Sequence, residues 1–175
     1  MSVSKNIIDL TENYINDNIS FFRKAPINIE ALITKETINK VIHPFDDDIA
    51  GVLIIDDKNN KVTIGINQKS SHERKNFTMA HELGHYILHN DRSNMFLDKV
   101  FYRKKSEGYT TKEEKIEKEA NYFAANILMP ENLVFQEIEK LDMDLYEDSS
   151  IKKLAQTFNV SSSAMSFRLI NLGIL

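Results

Sequence analysis

Apolar residues recur at helical spacing over residues 5–20, at Ile7, Ile8, Leu10, Tyr14, Ile15 and Ile19. That period predicts an amphipathic helix. Pro26 opens a second short helix that carries Ile29, Leu32 and Ile33. The pattern then changes. Residues 50–55 form a compact apolar run, and residues 61–67 alternate, with Val62, Ile64 and Ile66 on one side. Asp56-Asp57-Lys58-Asn59-Asn60 between them has turn composition, so the two runs predict an antiparallel hairpin. Residues 37–45 add a third strand. The helical period returns with Phe77, Met79, Ala80, Leu83, Tyr86 and Leu88. Ser70 or Ser71 caps that helix and Asn90-Asp91 ends it. Residues 91–111 keep no clean period and read as a loop or an irregular hairpin around residues 95–102.

A charged helix begins near Thr111 and turns apolar over residues 119–129, where Pro130 stops or kinks it. Residues 131–141 give another short helix with Leu133, Val134, Ile138 and Leu141. Residues 142–150 are acidic and polar and read as a linker. Two last helical patterns follow, at 151–158 and 162–172, joined at Asn159-Val160-Ser161. The expectation is an α+β domain over 1–141, a linker over 142–150 and a helix-turn-helix-like unit over 151–175. The domain would pack a small antiparallel sheet on the helix that holds residues 77–88.

The 175 residues are enough for one domain with a real core, and 42% hydrophobic with 27% charged is ordinary globular composition. A net charge of −4 argues against a general polyanion binder. There is no cysteine, so disulfides and thiolate metal sites are excluded and any transition-metal site must use His and carboxylate ligands. The first residues lack an apolar signal core and no run is long enough to span a bilayer, which leads to the expectation of a cytoplasmic protein with no membrane partner.

The chemistry sits at His81-Glu82-Leu83-Gly84-His85, an HExxH pattern. Residues four apart share a helix face, so both imidazoles can reach one ion. Glu82 is offset by one position from His81, which suits a base acting on water rather than a ligand. A catalytic zinc ion needs three protein ligands and an open position, and a zincin-like domain would supply them. The third ligand is open at this level. His89 lies eight residues past His81, and a straight helix carries it away from the ion, so it reads as a supporting residue. His72 and His43 are further candidates. The acidic helix offers Glu113, Glu114, Glu117 and Glu119. Helical spacing does not choose between Glu117 and Glu119, which both flank the apolar stripe.

The segments Phe77-Thr78-Met79-Ala80-His81-Glu82-Leu83-Gly84-His85-Tyr86, Glu119-Ala120-Asn121-Tyr122-Phe123-Ala124-Ala125 and Leu128-Met129-Pro130 resemble the ImmA/IrrE family of metallopeptidases. Ile49-Ala50-Gly51 and Ile66-Asn67 are similar to that family's hairpin. The resemblance runs over roughly residues 25–175. It implies His81, His85 and Glu119 as zinc ligands, Glu82 as the catalytic base, and Asn121 as a residue supporting a ligand. It implies a gluzincin-like endopeptidase whose substrate is a helix-turn-helix repressor. The alternatives are a metal-binding antirepressor that acts without cleavage, a DNA-binding regulator with a structural metal, and a hydrolase of a non-peptide substrate.

Two further features bear on partners. Residues 151–175 carry three basic side chains and no acidic one, which makes DNA contact conceivable. The presumed recognition helix nevertheless offers only Arg168 among serines, so packing on the domain or binding a protein substrate is the favoured role. The oxyanion of a hydrolytic transition state needs a donor, for which Tyr102, Tyr109 and His72 are candidates. The segment 91–111, with Arg103, Lys104, Lys105 and Gly108, would either fold over the cleft or stay a surface loop.

Overall fold

A computed structural model describes residues 3–89, 95–99, 111–141 and 147–175. Helix α1 covers Lys5–Asp17 and a single 3-10 turn follows at Ile19–Phe21. Helix α2, Ile29–Lys35, starts three residues after Pro26 because Asn28 caps it, its side chain accepting from the Ala31 N–H at 3.0 Å. Strands β1 (Asn39–His43), β2 (Ile49–Asp56) and β3 (Lys61–Asn67) come next. Helix α3 is His72–His89, β4 is Met95–Lys99 and α4 is Thr111–Leu128. Helices α5 (Glu131–Glu139), α6 (Asp148–Phe158) and α7 (Ser162–Asn171) complete the chain.

The sheet order is β1-β3-β2-β4. The hairpin β2–β3 is antiparallel, with Leu53 opposite Ile64 and Gly51 opposite Ile66. Asp56 makes its turn by accepting from the Asn59 backbone at 3.2 Å and from the Asn59 amide at 2.7 Å. Strand β4 adds to the other edge of β2, also antiparallel, so the segment after α3 supplies a strand within the stretch read as irregular. Strand β1 runs parallel to β3, so antiparallel pairing describes two of the three ladders.

Leu53, Ile64 and Ile66 are essentially solvent-free on one face of this sheet. Alternation along each strand puts them toward α3, whose Met79, Ala80 and Leu83 are equally buried. Helix α4 covers α3 on its other side with Ala120, Phe123, Ala124 and Ile127. Helix α3 is thus buried on nearly every side over residues 78–85, polar motif included. Two glycines permit that burial. A side chain on Gly51 would overlap the Thr78 methyl and lie 3.3 Å from Glu82 Oε1. A side chain on Gly84 would meet Phe123 at 3.1 Å and the Ala120 carbonyl at 3.2 Å.

The C-terminal pair packs on this body. Helix α6 begins at Asp148, inside the stretch read as linker, and Ser150 is buried. Residues 142–146 lie outside the described residues. Asn159 takes a left-handed conformation (φ 52°) that turns the chain into α7, and Ser161 caps α7 by accepting from Ala164 N–H at 3.1 Å. Arg168 is 6% exposed and its Nε donates to the Met129 carbonyl at 3.0 Å. The one basic residue of the presumed recognition helix is therefore spent inside the protein. No described helix is long and apolar enough to cross a membrane.

The two glycine contacts make a stability prediction. Gly51→Val and Gly84→Val should each lower unfolding free energy by about 1–3 kcal/mol, the usual cost of forcing atoms into a packed interior. Urea denaturation measures it. Wild-type stability in both variants would mean that the close approaches relax without cost.

Candidate functional site

Helix α3 is capped by Ser71, whose hydroxyl accepts from Arg74 N–H at 3.3 Å. Ten residues on from that cap, His81 and then His85 project from one face of this helix. Their Nε2 atoms lie 3.0 Å apart and their rings are nearly perpendicular. Both are buried, at 3% and 1% exposure. Helix α4 brings Glu117 to them, with Oε2 3.3 Å from His81 Nε2 and Oε1 3.4 Å from His85 Nε2. These three side chains offer donor atoms all within 4.8 Å of one another, and they are the group of that kind among the described residues.

The donor set fits a tetrahedral cation. Ligand atoms at about 2.0–2.1 Å from zinc in tetrahedral geometry sit about 3.3 Å from each other. The two Nε2 atoms stand 3.0 Å apart, close to that spacing, and Glu117 puts a different carboxylate oxygen near each, at 3.3 and 3.4 Å. Protonation states agree with it. Burial lowers the pKa of His85 to about 4 against the opposing pull of Glu117, so its imidazole is neutral near pH 7. Burial raises that of Glu117, but hydrogen bonds to His81 and His85 outweigh it and bring the group to about 2. A neutral imidazole at His85 beside an ionised carboxylate is what a divalent cation requires.

Asn121 lies one turn beyond Glu117 on the same helix face. Its Oδ1 is 3.1 Å from His81 Nδ1. An amide oxygen can only accept, so Nδ1 carries the proton and Nε2 keeps its lone pair toward the group. Glu82 is fully buried between α3 and the sheet, over Gly51.

Glu119 is placed differently from the ligand role that the family resemblance implies for it. Its Oε2 lies 2.9 Å from His89 Nε2, both residues are buried, and Lys115 Nζ stands 3.8 Å from its other oxygen. Positions two apart on a helix point in widely different directions, so Glu117 and Glu119 meet different histidines. His89 is packed near His85, ring centroids 5.5 Å apart, yet it is Glu119 that it pairs with. Glu113 and Glu114 are exposed, as are His72 and His43, outside the group. Tyr102, Tyr109, Arg103, Lys104, Lys105 and Gly108 lie outside the described residues.

The chain is similar to known proteins in sequence and in fold. Residues 35–170 match the model of the peptidase family described as IrrE N-terminal-like domain. Metallopeptidase ImmA of Bacillus subtilis (strain 168) is 29% identical over 123 residues, which cover 70% of this chain and 64% of that protein. A solved structure described as a Mycobacterium tuberculosis transcriptional regulator shares the fold, with a TM-score of 0.61 at 16% identity, over 95% of this chain and 47% of that one. The chain thus spans less than two thirds of the length of either relative. The family match covers well over half of the chain, and the chain belongs to that family.

The two glutamates separate in a binding experiment. Glu117→Ala should cost more than about 100-fold in Zn2+ affinity, and Asn121→Ala about 10–100-fold, the range for residues that orient a ligand. Glu119→Ala should cost about tenfold or less and should be non-additive with His89→Ala, since the pair acts as a unit. Chelator competition on the four single variants and on the Glu119→Ala/His89→Ala double variant gives these numbers. A larger loss from Glu119→Ala than from Glu117→Ala would reverse the assignment.

Proposed function

We propose that this member of the IrrE N-terminal-like domain family is a zinc-dependent endopeptidase, with His81, His85 and Glu117 as its metal ligands and Glu82 as its general base. The observation that carries the reading is the convergence of two buried imidazoles and one ionised carboxylate, with donor atoms within 4.8 Å of one another, and Glu82 next to His81 on the same buried helix. Three protein donors leave a tetrahedral ion one open position, which favours catalysis over a closed structural site. Bound there, zinc would polarise a peptide carbonyl and acidify a water molecule.

The chain's own residues do the rest. Asn121 fixes the His81 tautomer and so the direction of its lone pair. Glu82 accepts the proton of the attacking water as the oxygen adds to the carbonyl carbon. It returns that proton to the departing nitrogen as the C–N bond breaks, so a carboxylate enters and leaves the cycle. Burial of Glu82 shields it from bulk water and keeps the transfer local.

The substrate we infer from the family resemblance is a helix-turn-helix repressor, cut to relieve repression. Two rivals act without cleavage. An antirepressor would need only binding. A DNA-binding regulator would need a basic recognition surface, and burial of Arg168 counts against that.

Glu82→Gln separates hydrolysis from binding. It should retain full zinc occupancy and lose at least about 100-fold in cleavage rate of a helix-turn-helix repressor substrate, since the general base is gone while the ligands remain. Mass spectrometry of the fragments, with metal analysis of the same samples, reads both. Full relief of repression by this variant in cells would favour the antirepressor.

A further inference from the structure

The C-terminal helix pair lines a cavity that reaches His81. A cavity of about 550 Å3 opens between α3 and the α6–α7 turn. Phe77, His81 and Asn121 line it from the body, and Val160, Ser163 and Ala164 from the pair. Its volume falls within the range of about 300–1,000 Å3 typical of ligand pockets. The His81 ring is part of its wall, so whatever fills it touches a member of the metal-binding group.

The far wall is firmly held. Asn76 Nδ2 donates to the Asn159 carbonyl at 3.4 Å, tying α3 to the turn. Arg168 ties α7 to the end of α4 through the Met129 carbonyl, and Met165 and Leu169 bury the inner face of α7. The hydroxyls nearby are partly engaged. Ser161 caps α7, and Ser166 donates to the Ser162 carbonyl at 3.0 Å. Phe77, Val160 and Ala164 give the cavity its apolar surface, and the side chains of Ser71, Thr78 and Ser163 share the lining. Glu73 and Arg74 stand exposed at the margin, where a polar backbone can remain in water.

We propose that this cavity is a specificity pocket for one apolar side chain next to the scissile bond of a polypeptide, with the C-terminal helix pair as its outer wall. The proposal rests on the peptidase reading, because the metal-binding group is what puts a scissile bond beside His81. Contact of the cavity with His81, the member of that group in its lining, selects its occupant. A peptide held at the metal extends its adjacent side chain away from the reacting carbonyl, and the cavity is the space beside His81 that both packed units build. The pair then chooses which peptide bond is presented, a role independent of DNA.

The test uses the zinc-loaded full chain and a series of amino-acid hydroxamates, those of glycine, alanine, leucine and phenylalanine. The hydroxamate group chelates the ion and the side chain samples the pocket. Titration calorimetry should give leucine or phenylalanine an affinity about 10–100-fold above glycine, from burial of the apolar side chain. Ala164→Leu and Ala164→Trp narrow the pocket from a half-buried position and leave the metal group untouched. In both, glycine hydroxamate should bind as to wild type while the advantage of the larger side chains falls to about twofold or less. An equal affinity across the series in wild type, or an advantage that survives both substitutions, overturns the pocket and leaves the peptidase reading standing. Failure of every hydroxamate, glycine included, to bind the zinc-loaded chain overturns both.

Discussion

Gly84 has no side chain, and α3 and α4 meet there. A Cβ at this position would press on Phe123 and on the backbone of Ala120. The absence of that Cβ sets the distance between the two helices, and the distance decides the chemistry. Glu117 is three residues before Ala120 and Asn121 is one after. Both reach across to His81 and His85 because the backbones between them are nearly in contact. A glutamate has a limited reach, so a wider helix pair would hold the same residues and assemble no donor set. The middle of the HExxH motif thus contributes by what it lacks.

Such proximity places much polar matter in an apolar interior. His81, Glu82, His85, His89 and Glu119 are all at or below 3% exposure. Buried charges are costly unless paired. Glu117 faces two histidines, and Glu119 faces a third. The arrangement therefore divides α4's carboxylates between two tasks. One neighbours the donors that a cation would complete. The other closes a pair with His89 one turn further along α3, where it ties the helices together without competing for the same imidazoles. Removing either partner of that second pair would strand a polar group in the core, so its contribution to helix spacing is coupled to the first site.

The physical logic explains what was legible in the sequence. The period of α1, the alternation of β3 and the turn residues at 56–60 are local signals, and these elements fall where the pattern puts them. The four-residue spacing of His81 and His85 is equally local. The third carboxylate is not, because it depends on how α4 rolls against α3. Spacing left Glu117 and Glu119 equal, and the family resemblance pointed to Glu119, whereas the geometry pairs Glu119 with His89 and Glu117 with the HExxH histidines. One signal was available. Asn121 is four residues past Glu117, as His85 is four past His81, so two helices each present a matched pair of polar positions to the other. Strand β4 was obscured for a different reason: an edge strand is fixed by its partner β2, and its own pattern carries little of that information.

The C-terminal residues show how the same pattern changes meaning with packing. Residues 151–171 have the spacing, cap and turn of a helix-turn-helix, and the structure forms that pair. A DNA-reading helix must present its polar face to solvent, with positive charge available for phosphates. Here the arginine that would serve is buried against the Met129 carbonyl, and the turn is tied to α3 through Asn76. The residues that face the cavity are small, Ser163 and Ala164, and the residue behind them is Val160. Small residues on a rigidly held turn create a recess. A helix pair with the pattern of a nucleic-acid reader instead supplies one side of a cavity in the protein, and the helix that holds the HExxH motif supplies the other.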